Sequence, residues 1–205
     1  MFVGERVRLD PVQRTHLPKI IAWMYKEEVI ARAFFGDPLP RSLEEMEAWL
    51  QQLRSNPHAR VLAVVYRETK EIVGEVALQP IDWRNCSTFF AIILGEESRR
   101  SEGLGTEAAR LALRYAFEGL NLNRVEANVL SSNQASIRLL KRVRFTWEGK
   151  VRAVNPRESR NYRFDPPVVA GIAMASCVRF SPNGEKMFVC SPQSGAIWQV
   201  EGFAD

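Results

Sequence analysis

The chain has 205 residues, of which 46% are hydrophobic and 25% are charged. This length and composition predict one domain of ordinary size with a normal hydrophobic core and a small appendage. The net charge of +4 favours an anionic cofactor, but the Lys and Arg residues are scattered, which argues against nucleic-acid binding.

The N-terminal part of the sequence predicts one strand and two helices. Residues 6–10 alternate polar and apolar side chains, as a strand with one buried face does. Thr15 can cap a first helix that carries Pro18 in its first turn, where proline is tolerated. Ser42 and Glu45 form a capping box for a second helix. The second helix has an apolar stripe at helical spacing, made of Leu43, Met46, Leu50 and Leu53.

The central part predicts three antiparallel strands followed by a helix. Two apolar runs at residues 60–66 and 71–79 are joined by a short polar turn, which indicates a hairpin. A third run at residues 88–94 is expected to pair with the second. A helix is then predicted over residues 106–118, with Gly119 as its C-cap.

The next elements predict how the sheet continues. Residues 124–130 alternate as a strand, Ser132 or Asn133 caps another helix, and a further strand begins near Phe145. Three antiparallel strands therefore lead into a parallel crossover. We expect an α/β (α+β) fold with a mixed, mostly antiparallel sheet and helices on both faces.

The C-terminal part of the sequence changes character. A pair of prolines interrupts the chain, two strand-like runs flank a Ser-Pro-Asn-Gly turn at residues 181–184, and a third run lies at 196–200. The hairpin resembles a fragment of a β-propeller blade, although no repeat precedes it. We predict a domain over residues 1–163 and a β-rich extension over 164–205 that either completes the sheet or is loosely attached.

The cysteine and histidine content limits the possible chemistry. Cys86, Cys177 and Cys190 lack metal-ligand spacing, and their odd number predicts reduced thiols in a cytoplasmic protein. His16 and His58 are too few for a zinc site or a catalytic triad, so we predict no metal. No apolar run reaches the roughly 18–20 residues of a membrane span, and the first residues are typical of a strand rather than a signal peptide.

A glycine-rich stretch is the most informative motif. It follows the apolar run at residues 88–94 and comprises Arg99, Arg100, Ser101, Glu102, Gly103, Leu104, Gly105 and Thr106. Glycines remove the Cβ atoms that would keep a ligand from the backbone, and the first amides of a helix lack intrahelical partners. With the helix dipole and the arginines, this pattern predicts a phosphate or pyrophosphate site.

One interpretation of this motif is dinucleotide binding. Gly103-x-Gly105-x-x-Ala108 matches that spacing, with Glu126 near the position of a ribose-binding acid. The fingerprint should begin close to the end of its strand, whereas residues 95–102 intervene here, and the upstream strands lack a βαβ pattern. We therefore favour a different phosphate ligand.

The second interpretation rests on a resemblance. Arg100-x-x-Gly103-x-Gly105 resembles motif A of the GNAT superfamily of acetyl-coenzyme-A-dependent N-acetyltransferases. Asn133-x-x-Ser136, followed by Phe145 and Gly149, resembles the next GNAT segment. The opening residues resemble the branch of ribosomal-protein-alanine and polyamine acetyltransferases. The resemblance covers about residues 4–152, and the order and spacing of its short motifs make it fairly specific.

The resemblance implies a sheet that splays between its fourth and fifth strands and takes up acetyl-coenzyme A. The pyrophosphate would bind backbone amides from Ser101 to Thr106, and the pantetheine would bind the backbone of Ile92, Ile93 and Leu94. Asn133 would reach the pantetheine or the acetyl group, although it can equally be a plain helix cap. Ser136 is a further candidate for cofactor binding and is also a common first-turn helix residue.

The implied reaction is direct acyl transfer to an amine, which must first lose a proton because alkylamines have a pKa of about 10. Glu75 is the candidate base, with a solvated strand carboxylate as the alternative role. Asp82 and Glu96 are weaker candidates. The acceptor is expected to be a small-molecule or peptide amine, such as a polyamine or a protein N-terminus, and the protein a monomer or homodimer.

Two positions depart from the family pattern. Leu140 stands where a tyrosine commonly protonates the leaving thiolate, and Arg144 stands where a glycine precedes the phenylalanine. A non-catalytic coenzyme-A-binding or partner-binding domain is therefore the alternative. The acceptor cleft would be walled by Trp23, Trp49, Phe34 and Phe35, and its mouth could carry Glu27, Glu28, Asp37, Glu44 and Glu45.

Overall fold

The computed structural model of the chain describes residues 2–26, 41–96, 99, 102–130, 132–151, 159–164, 177–180, 186–190 and 197–201. The strands are β1 (Phe2–Val3), β2 (Val7–Pro11), β3 (Arg60–Tyr66), β4 (Ile72–Asp82), β5 (Ser87–Leu94), β6 (Arg124–Leu130), β7 (Thr146–Val151), β8 (Ser159–Phe164), β9 (Cys177–Phe180), β10 (Lys186–Cys190) and β11 (Ile197–Glu201). The helices are α1 (Leu17–Met24), α2 (Leu43–Ser55), α3 (Leu104–Arg114) and α4 (Gln134–Arg142).

The main sheet has eight strands in the order β1-β2-β3-β4-β5-β6-β8-β7. Its neighbouring strands are antiparallel except for β5 and β6, which are parallel and are joined by the crossover through α3. This arrangement confirms the expected mixed, mostly antiparallel sheet. The sequence does not predict β1 as a strand separate from β2, so the predicted fourth and fifth strands are β5 and β6 of the structure.

Apolar side chains cover both faces of the sheet. On one face a core cluster that includes Val76, Leu104 and Val125 packs beneath α3 and α4. On the other face a second cluster that includes Ala63, Leu17 and Leu50 packs beneath α1 and α2. The two-sided core holds the middle of the sheet rigidly between helical layers.

Two predicted helix starts and one predicted end differ from the structure. Thr15 does not cap α1, because it lies inside a 3-10 turn (Arg14–His16). The amide of Gln13, which precedes this turn, donates to Nδ1 of His16. α3 begins at Leu104 rather than at residue 106. It ends in one π-helical turn (Tyr115–Gly119) instead of being capped by Gly119. The capping box at α2 is confirmed, since Glu45 N–H donates to Ser42 Oγ over 3.2 Å.

The C-terminal strands form a sheet of their own. β9, β10 and β11 pair in an antiparallel three-stranded sheet, with β10 in the middle. Among the described strands, none of these three pairs with the eight-stranded sheet. The predicted strands are therefore present, and the way in which the extension is attached to the domain stays a prediction.

Candidate active site

A gap opens in the middle of the main sheet. β5 and β6 are paired only from Ser87↔Arg124 to Phe89↔Glu126, and within the two described strands no register partner follows. On its other side β6 stays paired with β8 from Val125 to Leu130. β6 therefore diverges from β5 as an intact strand, which creates the splay that the family resemblance implied.

The backbone of β5 borders this gap. The amide of Gly95 donates to the carbonyl oxygen of Val73 in β4 over 3.1 Å. In an antiparallel pair the backbone groups of successive residues are directed alternately toward the partner strand and away from it. Ile93 therefore bonds toward β4, whereas the amides and carbonyls of Ile92 and Leu94 are directed toward the gap. Of the three residues predicted to hold pantetheine, these two have the suitable backbone orientation.

A left-handed glycine begins the helix beyond the gap. Gly103 has φ +82° and is the N-cap of α3, a conformation that glycine adopts without steric cost. Its carbonyl accepts the amides of Thr106 and Glu107, each over 3.1 Å. The preceding helical amides, those of Leu104 and Gly105, lie at the positive end of the helix dipole, where an anion binds favourably.

Gly105 has a packing role that the sequence did not indicate. A Cβ atom at this buried position would lie 2.8 Å from Leu94 Cδ1 and 3.0 Å from Leu139 Cδ1. The glycine therefore lets α3 begin directly against the end of β5 and against α4. Close approach of helix and strand, rather than ligand access alone, explains why a glycine stands here.

Arg99 is held by protein groups. Its guanidinium lies over the ring of Tyr66, 4.1 Å from the centroid, and Nη1 is 3.9 Å from a carboxylate oxygen of Glu102. This cation–π contact anchors the segment that leads into the glycine loop. The predicted phosphate ligands Arg100 and Ser101 lie outside the described residues.

Glu75 projects into the apolar layer beneath α1 and α2. It stands opposite Ala63 of β3 and Ile93 of β5, and facing residues share one side of the sheet. Its Oε2 atom is buried and has no hydrogen-bond partner among the residues that the structure describes. Burial disfavours the charged form and raises the pKa of Glu75 to about 7. Glu75 is one strand away from the gap, beside the segment of β5 that has left β6.

The two weaker candidate bases have environments of the opposite kind. Hydrogen bonds from the backbone and side chain of Asn85 lower the pKa of Asp82. For Glu96, burial acts to raise the pKa, but hydrogen bonds from Lys19 and Trp23 and the nearby lysine charges outweigh it, so the pKa is lowered. Both carboxylates are thereby stabilised in the charged form, which makes them weaker bases than Glu75.

Comparisons with known proteins identify the family. The model of the acetyltransferase (GNAT) domain matches residues 6–146. The chain belongs to the GNAT family of acetyltransferases. An uncharacterized N-acetyltransferase, p20 of Bacillus licheniformis, is 30% identical over 116 residues, which are 57% of this chain and 65% of that relative, just under two thirds of its length.

Two further known proteins are similar to this GNAT domain. The spermidine N(1)-acetyltransferase of Escherichia coli K12 is 25% identical over 145 residues, covering 71% of this chain and 75% of the relative. A solved spermidine N-acetyltransferase from Vibrio cholerae, in complex with CoA and spermine, superposes with a TM-score of 0.70 at 20% identity, covering 78% and 96% of the two chains. The latter likeness supports the fold. The comparisons give no support to a β-propeller origin of the tail.

The second GNAT segment forms the start of α4. Asn133 is the N-cap, and its Oδ1 accepts the amide of Ser136 over 3.1 Å. The capping role is therefore present, and it leaves the predicted contact of Asn133 with a cofactor as a proposal. Leu140 is 2% exposed within the core and carries no proton to donate. Arg144 adopts φ +71°, the left-handed conformation for which the family uses glycine.

The predicted walls of the acceptor cleft are partly described. Trp23 is buried against Gly95, where a Cβ atom would overlap its indole. Trp49 packs against the apolar core cluster beneath α1 and α2, which also contains Trp23. Glu45 is engaged in the cap of α2. Glu44 is exposed in the first turn of α2. The other predicted residues, Phe34, Phe35, Glu27, Glu28 and Asp37, lie outside the described residues.

Neither a metal site nor a membrane span is found in the part of the chain that the structure describes. No group of three or more His, Cys, Asp or Glu side chains there could hold a metal ion. The helices described are too short or too polar to cross a bilayer.

Proposed function

We propose that this GNAT domain is an N-acetyltransferase that moves an acetyl group from acetyl-coenzyme A directly to a primary amine. The carrying observation is the buried carboxyl oxygen of Glu75, which lies next to the open segment of β5 and has no hydrogen-bond partner in the described part of the chain. A carboxyl group with a pKa of about 7 is a stronger base than an ordinary glutamate, yet it remains largely ionised at slightly alkaline pH.

The loop and the gap suit the two ends of the acetyl donor. The amides of Gly103, Leu104 and Gly105 would hold its diphosphate, because they lie at a helix N-terminus with little side-chain bulk. The backbone groups of Ile92 and Leu94 would hold the pantetheine, as a neighbouring strand would. The donor supplies an activated thioester, and Asn133 and Ser136 are proposed contacts at the wall formed by α4.

Glu75 would accept the proton that the attacking amine loses. The amine nitrogen forms a bond to the acetyl carbon, the carbon–sulfur bond breaks, and the electron pair leaves with sulfur. A thiol has a pKa of about 8.5, so its thiolate leaves without the help of an acid. The core position of Leu140 is compatible with that route, because a dedicated proton donor is then dispensable.

The relatives support a small polyamine as the first acceptor to test. A peptide N-terminus is the second, because the opening residues resemble the branch that includes ribosomal-protein-alanine acetyltransferases. The Escherichia coli relative is named for spermidine, and the Vibrio cholerae structure contains spermine. An ionised Glu75 would attract the ammonium form of either acceptor before it takes the proton.

The proposal is tested by thiol release from acetyl-coenzyme A in the presence of spermidine, a peptide with a free N-terminus, and the same peptide N-acetylated. We expect saturable release with at least one free amine and none with the blocked peptide. Saturable coenzyme A binding without release for any amine would instead favour the non-catalytic alternative.

Glu75→Gln tests the assigned base. We expect kcat to fall by about 10²-fold or more, the range typical of a lost general base, while the Kd for coenzyme A stays within about twofold. In the native protein kcat/KM should rise with pH up to about 7 and then level off, and this inflection should vanish in the variant. Glu118→Gln, which alters an exposed carboxylate paired with Arg114, is the matched control.

A further inference from the structure

The turn between β1 and β2 contacts the helix that carries the glycine loop. Glu107, in the first turn of α3, accepts the amide of Arg6 over 2.9 Å and the amide of Val7 over 3.2 Å, both through Oε1. Its Oε2 lies 3.5 Å from Arg6 Nε. One carboxylate therefore caps two backbone amides and pairs with a guanidinium about a hundred residues away in sequence.

The same arginine reaches the loop itself. Arg6 Nη1 donates to the carbonyl oxygen of Glu102, the residue before Gly103. A Cβ atom on Gly103 would lie 3.1 Å from Arg6 Nη2, so the guanidinium lies directly against the loop. Arg6 thus connects the carboxylate of Glu107 with the backbone that enters α3.

The turn between β1 and β2, which carries Arg6, is hydrogen-bonded to the turn between β3 and β4. Arg67, in the turn between β3 and β4, donates through Nη1 to the carbonyls of Gly4 and Glu5 over 2.8 and 2.7 Å, and its amide donates to Arg6 O over 2.8 Å. A Cβ atom on Gly4 would overlap Glu107 Oε1. The connection therefore runs from a rigid hairpin through the β1–β2 turn to the loop.

The charges of Arg6 and Glu107 affect how well an anion binds at the N-terminus of α3. A carboxylate in the first turn of a helix is favoured by the dipole, but it opposes an anion at the same helix end. The guanidinium of Arg6 compensates the charge of Glu107 and also orders the loop. Loss of Arg6 alone would leave an uncompensated negative charge beside the amides of Leu104 and Gly105.

We infer that Arg6 and Glu107 are positioning residues that hold the glycine loop in its anion-binding shape and neutralise its helix terminus. The inference rests on the proposed function, because the anion in question is the diphosphate of coenzyme A. Neither side chain reacts. They act through the backbone of residues 102–105.

The first test compares Arg6→Gln, Arg6→Gln/Glu107→Gln and the control Arg114→Gln, an exposed arginine on the same helix that pairs with Glu118. We expect the Kd for coenzyme A to rise about tenfold in Arg6→Gln, as for a lost charge-assisted hydrogen bond, and less in the double variant, where the opposing charge is also gone. An unchanged Kd in Arg6→Gln, or a larger loss in the double variant, would overturn the inference.

A truncated donor separates positioning from general damage. S-acetylpantetheine lacks the diphosphate, so Arg6→Gln should lower kcat/KM about tenfold for acetyl-coenzyme A and leave the value for S-acetylpantetheine unchanged. Equal losses for both donors would assign Arg6 a merely structural role and contradict the inference.

Hydrogen exchange without ligand keeps the inference testable apart from the proposed function. Amides of residues 102–106 should exchange about tenfold faster in Arg6→Gln than in the native protein, while those of residues 60–66 keep their rate. Unchanged loop exchange would contradict the inference. If the native protein binds no coenzyme A, the proposed function fails, and this exchange result still decides whether Arg6 orders the loop.

Discussion

The buried carboxyl group of Glu75 affects folding as well as the proposed chemistry. Its pKa is raised from 4.5 to about 7 by burial, so between these values the folded chain keeps a proton that the unfolded chain releases. The stabilisation is complete below about pH 4.5 and is lost as the pH rises through 7. At about 1.4 kcal/mol per pKa unit, the full loss amounts to about 3–4 kcal/mol.

Glu75→Gln should remove this pH dependence, because glutamine has no proton to lose. We expect the free energy of unfolding of the variant, relative to the native protein, to increase by about 2 kcal/mol between pH 5 and pH 8. Urea unfolding at the two pH values measures it. A difference that stays constant with pH would show that Glu75 is ionised in the folded protein throughout, and Glu118→Gln should give such a constant difference.

At the scale of elements, the site depends on how closely α3 begins against β5. Gly105 makes this approach possible, since a Cβ atom there would meet the side chains of Leu94 and Leu139. We expect Gly105→Ala to destabilise the fold by about 1–3 kcal/mol through overpacking and to weaken coenzyme A binding, because the helix start must shift from the edge of the gap.

A double-mutant cycle distinguishes overpacking from a change in backbone propensity. Leu94→Ala removes the nearest contact, so Gly105→Ala should cost about 1 kcal/mol less in that background, as measured by urea unfolding. Additive effects would show that the two residues are not in contact and would refute the packing role. Since Leu94 contributes its backbone to the gap, the substitution leaves the proposed pantetheine contacts in place.

At the scale of the whole molecule, the order of elements was predictable because hydrophobic periodicity and capping residues are local signals. The capping box of α2, the hairpin of β3 and β4, and the parallel crossover all follow from such patterns. The start of α1 was missed, because a 3-10 turn before a helix leaves the same residue pattern as a cap.

The site was predictable only in part. The glycine loop and the gap follow from the motif resemblance, but no local pattern indicates that Glu75 lacks a partner or that Arg99 stacks on Tyr66. The pairing of Arg6 with Glu107 joins residues 101 positions apart, which a single sequence does not indicate. The boundary near residue 164 stays a prediction.

Hydrogen exchange of the native protein with and without saturating coenzyme A tests most directly whether the loop and the gap hold the donor. The geometry predicts slower exchange at residues 90–94 and 102–106 together, with no change at residues 60–66 on the far side of β4. Saturable binding that leaves the exchange of residues 90–94 and 102–106 unchanged would contradict the proposed site.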